Sequence, residues 1–114
     1  MNNKHDLKDL KEFSPFINYT SDKIFDAFFI DALSKTARNI IKYLIYKHSF
    51  TEEKFLFNID EFKKFTGPIH TTNLSNGLAE LCAKELLAKT NVLHIYWVNN
   101  KLFNTGVFKP QYID

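Results

Sequence analysis

A Gly-Pro pair, Gly67-Pro68, separates two stretches whose apolar residues recur at helical spacing. The chain has only three glycines and three prolines, so two of the six falling side by side is a strong local signal. Glycine reaches backbone angles closed to other residues, and proline lacks the N–H that a helix interior requires. One helix through this point is excluded. What remains is a helix, a reversal and a second helix.

The first of these helices carries three start signals. Asn58 is a good N-cap, and Glu61 follows at the spacing of a capping-box partner. Phe57 and Phe62 flank the cap as a hydrophobic staple. Gly67 offers a left-handed C-terminal residue, and Pro68 stops the helix. For the second helix, Thr71 or Thr72 is the expected N-cap, and Leu74, Leu78, Leu81, Cys82 and Leu86 form its rear face, running out near Leu87. Ile69, in the turn, is the expected apolar plug.

Around this pair the pattern is regular. "DLKDLKEF" suits a short helix ended by Ser14-Pro15, and "FINYT" (16–20) alternates as a short strand would. Ser21 is placed to cap a helix with Ile24, Phe25, Phe28, Phe29 and Ala32 on one face. Ser34 caps the next, with Ala37, Ile40, Ile41, Leu44 and Ile45 as its buried stripe and Lys35, Arg38 and Lys42 opposite. "KFLFN" is a short strand. "LAKTNVLHIYWVN" reads as two strands joined by a tight turn at Thr90 and Asn91. The order predicts an α+β, mainly helical fold: a winged helix-turn-helix with a short β-hairpin wing and an extra N-terminal helix. We expect a single domain over residues 1–114, with 1–15 and 109–114 peripheral.

Composition limits the function classes. Twelve phenylalanines and a 45% hydrophobic fraction can build a core without disulfide or metal, and the single cysteine, Cys82, makes a reducing cytoplasm the expected setting. The charged N-terminus lacks a leader's apolar run, and no run is long enough to span a membrane. His70, Cys82 and His94 match no zinc spacing. There is no glycine-rich phosphate loop, serine elbow or framed carboxylate pair. We therefore expect no enzyme, cofactor, metal or small-molecule substrate.

A second helix held steeply by the first can enter the major groove of duplex DNA. Thr71, Thr72, Ser75 and Asn76 lie on the front or its border, with His70 and Asn73 beside them at the leading end. Asparagine pairs bidentately with adenine, and hydroxyls serve several bases or a phosphate. Lys63 and Lys64 on the first helix, and Lys89 and Asn91 by the wing turn, are candidate phosphate contacts. The net charge of +2 neither demands nor forbids this, and no Arg or Lys occurs between Lys64 and Lys84. Reading of guanine by arginine is excluded there, and added charge from a dimer mate or flanking segment is needed. The competing expectation is a protein-interaction module on the same scaffold. Tyr96 and Trp97 suit base stacking or, more simply, packing. Apolar Phe103, Phe108 and Tyr112, with the phenylalanines of the helix from Ile24 to Phe29, predict a homodimer.

The stretches "KTARNIIKYLIYKH", "FLFNIDEFKKFTGPIHTTNLSNGLAELCAKELL" and "HIYWVNNKLFNTGVF" resemble the winged-helix replication proteins of small bacterial plasmids and phages, the RepL-like group. The likeness covers roughly Phe16 to Phe108. It includes the Leu33-Ser34 helix start and an ending formed by Tyr96, Asn99 or Asn100, Phe103 and Gly106; Lys101 stands where the group usually has proline. The resemblance implies DNA binding at a replication origin or promoter.

Overall fold

The computed structural model describes residues 13–19, 27–47 and 52–103. Within them the chain forms α1 (Ala27–Asp31), α2 (Lys35–Tyr46), β1 (Lys54–Leu56), α3 (Ile59–Thr66), α4 (Thr71–Ala83), β2 (Leu87–Lys89), β3 (Ile95–Val98) and α5 (Asn100–Phe103). The three strands make an antiparallel sheet in the order β1-β3-β2, with Phe55 opposite Tyr96 and Ala88 opposite Trp97. The fold is α+β, with helices supplying most of the regular structure.

The centre of the core is α2. The Ser34 hydroxyl accepts the Ala37 N–H at 3.2 Å, and Ala37, Ile40, Ile41, Leu44 and Ile45 are buried as their spacing predicts. Tyr43 joins them with no exposure at all, widening the apolar stripe beyond the five expected residues. Its ring meets Phe55, Phe57 and Phe62 edge-on at centroid distances of 5.8, 5.5 and 5.4 Å. Lys35 and Lys42 are exposed, whereas Arg38 is half-buried and donates to the Leu33 carbonyl at 2.6 Å.

At the start of α3, Asn58 accepts the Glu61 N–H at 2.9 Å, and the Phe57 and Phe62 rings pack 5.2 Å apart. The other arm of the capping box does not form. The Glu61 carboxylate instead accepts the Tyr43 hydroxyl at 2.6 Å and the Lys47 ammonium at 3.0 Å. Those two donors, one of them charged, offer stronger bonds than a neutral backbone amide. They hold Glu61 below the usual carboxylate range, the Tyr43 bond contributing most. Burial, followed by the Glu61 bond, drives the Tyr43 phenol up.

The helix break falls where expected, but its geometry differs. Gly67 has φ 100° and ψ 176°, positive φ with an extended ψ that is essentially glycine-only, and its N–H closes onto the Lys63 carbonyl at 2.7 Å. The N-cap of α4 is His70, with no side-chain cap bond, so Thr71 and Thr72 sit inside the first turn. Ile69 is half-buried against the core.

The end of α4 also departs from expectation. The helix stops at Ala83 rather than near Leu87, because Glu85 takes φ 67°. Leu86 N–H then bonds Leu81 O, and Glu85 N–H bonds Cys82 O, both at 3.0 Å. This is a Schellman ending with glutamate where glycine is usual. Replacing Glu85 with glycine should remove the left-handed strain and raise stability by about 0.5–1 kcal/mol. Urea unfolding checks this, and a fall in midpoint would count against the strained ending.

Three further expectations change. Residues 16–19 form a turn rather than a strand. Pro15 presets the bend, the Ile17 N–H reaches back to Ser14 O at 3.5 Å, and the Ser14 hydroxyl takes the Phe16 N–H at 3.1 Å. The β2–β3 connection is five residues, 90–94, not a tight turn at Thr90 and Asn91. The Thr90 hydroxyl braces it, accepting the Val92 N–H at 3.0 Å and donating to Ile95 O at 2.8 Å. Helix α1 ends at Asp31, leaving Ala32 exposed beyond it, while Phe29 is half-buried. The expected helix over "DLKDLKEF", the Ser21 cap, Ile24 and Phe25, the side chains of Phe28 and Phe103, and Gly106, Phe108 and Tyr112 lie outside what is described.

Candidate nucleic-acid interface

Helix α4 is seated on α2 by contacts at two levels. Leu74, Gly77 and Leu81 recur along one face and are buried. At Gly77 the helices approach so closely that an added Cβ would lie 2.7 Å from Thr36 Cγ2 and 3.1 Å from Ile40 Cδ1. One turn further on, the Glu80 carboxylate accepts the Ser34 N–H at 3.0 Å and the Ser34 hydroxyl at 2.7 Å. Ser34 thus caps its own helix and clamps α4.

The opposite edge of α4 faces outward. His70, Thr71, Thr72, Asn73, Ser75 and Asn76 are all exposed. Thr71, Thr72, Ser75 and Asn76 share one helical face by their spacing. Because His70 provides no side-chain cap, the first-turn amides of α4 keep the partial positive charge of a helix start without a side-chain oxygen over them. The helix carries a single charged side chain, Glu80, which is the one tied to Ser34.

The candidate cations lie on the elements before and after α4. Lys63 and Lys64 are exposed on the last turn of α3, immediately before the Gly67-Pro68 reversal. Lys89 is exposed at the end of β2, and Asn91 is exposed in the loop that follows. Of these residues, Lys89 is brought directly to α4: it and Ser75 line one cleft. Lys89 and Asn91 also line a hollow under the loop, together with His94.

Other sequence candidates resolve into structural roles. Trp97 is 3% exposed, with Lys54 Nζ 4.6 Å from its ring centroid, so it is not a stacking platform for bases. Asn99, fully buried, donates to Glu85 O at 2.7 Å and accepts the Leu102 N–H at 3.2 Å, fastening the sheet to α5. Leu78 is half-buried, packed against the core and also lining the cleft. Cys82 is half-buried beside it, its thiol pushed up by burial. Among the described residues no group of three His, Cys, Asp or Glu side chains could hold a metal ion. No described helix is long and apolar enough to cross a membrane.

Sequence reasoning passed over Gly77 and Glu80, the two residues that seat α4. A glycine three residues after an inward leucine was the available signal, since it marks a position where backbones approach. Nothing local marks Glu80, because its partner lies 46 residues away. In comparisons with protein-family models, curated proteins and solved structures, the chain matches none.

Proposed function

We propose that this chain is a winged-helix protein that binds duplex DNA. In this reading α4 enters the major groove, α2 supports it from behind, α3 leads into it across the Gly67-Pro68 turn, the β2–β3 hairpin is the wing, and two copies act together in plasmid or phage replication initiation or in transcriptional control. The carrying observation is the division of α4: Leu74, Gly77 and Leu81 are buried, while Thr71, Thr72, Ser75 and Asn76 stand exposed. Asn73 and His70 extend that edge, and the uncapped first turn suits a phosphate. Lys63, Lys64, Lys89 and Asn91 supply backbone contacts on either side.

Three lysine–phosphate contacts per protomer, six in the dimer, give a slope of about −5 in log affinity against log salt. Gel-shift titration at several salt concentrations measures it. Lys63→Ala and Lys64→Ala should weaken binding to every duplex alike and flatten the slope by about 2 each, one per protomer. Asn76→Ala or Thr72→Ala should instead relax sequence preference, by about 1–3 kcal/mol at the affected base pair. Light scattering at micromolar protein tests the dimer.

The absence of any basic residue on α4 favours a second reading, a protein-interaction module on the same scaffold. The two readings diverge on random duplex at low salt. Retained affinity there supports the DNA reading, and none supports the module.

A further inference from the structure

A second face of α4 looks onto the sheet. Ser75, Leu78, Ala79 and Cys82 fall at i, i+3, i+4 and i+7, and Ala88 of β2 and Tyr96 of β3 stand across from them. A cleft of about 430 Å³ lies between. It exists because Ser75, Ala79 and Ala88 are too short to meet across the gap. Its size falls within the roughly 300–1,000 Å³ usual for small-ligand sites.

The lining narrows what can enter. Its walls are mostly apolar, which favours an apolar body. Among the described residues Lys89, at the rim, is the only charged lining residue, and its field reaches the wall, where it opposes the effect of burial on Cys82. No described carboxylate lines the cleft, so a cation meets no partner among the described residues. One lysine is too little for a polyphosphate. An anion bearing a single charge on a compact apolar body matches both features.

We propose that the cleft between α4 and the β2–β3 hairpin binds a small apolar carboxylate. Its acid group pairs with Lys89 and its body lies against Leu78, Ala79 and Ala88. The hydroxyls of Ser75 and Tyr96 are available for a further bond. This site does not depend on the DNA reading. Only its consequence does: Ser75 belongs to both surfaces, so an occupied cleft would crowd the exposed edge of α4.

The test uses the full chain without DNA. 2-Naphthoate is titrated by calorimetry, with 2-naphthylmethylammonium as a probe of similar shape and opposite charge. Saturable one-to-one binding of the naphthoate is expected, with the ammonium weaker. Lys89→Gln should lower naphthoate affinity by about fivefold, the scale of an exposed ion pair. Ala79→Leu and Ala88→Leu fill the cleft and should abolish binding while keeping the circular dichroism spectrum. Independently, naphthoate should slow alkylation of Cys82 by iodoacetamide in the unaltered protein, a readout that needs no variant to fold. Absence of saturable binding at millimolar naphthoate, equal binding of the ammonium, or unchanged Cys82 alkylation would each overturn the proposal. None of these results depends on whether the protein binds DNA.

Discussion

Tyr43→Ala is expected to lower stability by about 3–5 kcal/mol, the range for deleting a large buried aromatic side chain. The residue is fully buried, its ring edges onto three phenylalanines, and its hydroxyl ends on Glu61 at 2.6 Å. A domain of this size has roughly 5–15 kcal/mol in total, so the variant should be partly unfolded near body temperature. Tyr43→Phe separates ring from hydroxyl: it keeps the packing and should cost about 1.5–3 kcal/mol, one hydrogen bond to a charged group. The pair also has a pH signature. Glu61 is held low in the folded state, so its contribution is present above the ordinary carboxylate range and is lost as pH falls through the folded value. Tyr43 is held above its usual value of 10.0, so its contribution is present below that pH and is lost as pH rises through the folded value. Tyr43→Phe should flatten both limbs of a melting-temperature profile; an unchanged acid limb would mean the hydroxyl–carboxylate bond is absent in solution.

Gly77→Leu should be nearly as damaging, at about 3 kcal/mol, because the first added carbon already lies 2.7 Å from Thr36 Cγ2. Thr36 is β-branched within a helix, where its side chain is confined to two rotamers. Gly77→Ala is the sharper experiment. Alanine gains about 1 kcal/mol of helix propensity over glycine, yet overpacking costs about 1–3 kcal/mol, so a net loss of about 1 kcal/mol is expected. Thr36→Ala in the same chain removes the nearest obstruction and should restore most of that loss, leaving the propensity gain visible. A single Gly77→Ala variant more stable than the parent would show that α2 and α4 are further apart than described. If the exposed edge of α4 reads DNA, the clash should also reduce binding, because α2 is the surface on which α4 rests.

The parts of the fold legible in the sequence were those decided by neighbours in the chain. Asn58, Ser34 and the Gly67-Pro68 break act within a turn or two, and each appears where its chemistry places it. Expectations failed where a distant partner intervened or where a local signal was concealed or outcompeted. Glu61 left its capping-box arm for Tyr43 and Lys47, which no local pattern could indicate. Glu85 took a left-handed angle that glycine would have signalled and glutamate concealed. "FINYT" alternates like a strand, yet Pro15 and the Ser14 hydroxyl had already turned the chain. At the candidate site, the exposed edge from Thr71 to Asn76 was readable from the inward leucines beside it. The cleft was not, since its walls come from segments that meet only through the fold.

The strand order carries one last mechanical consequence. β3 is hydrogen-bonded on one side to β2, which ends at Lys89, and on the other to β1, which runs through Phe57 and Asn58 into the helix bearing Lys63 and Lys64. The sheet therefore acts as a caliper whose jaws are joined at the middle strand. Lys89 and the helix bearing Lys63 and Lys64 are thus both tied to one shared strand, so that loosening β3 would release both attachments at once.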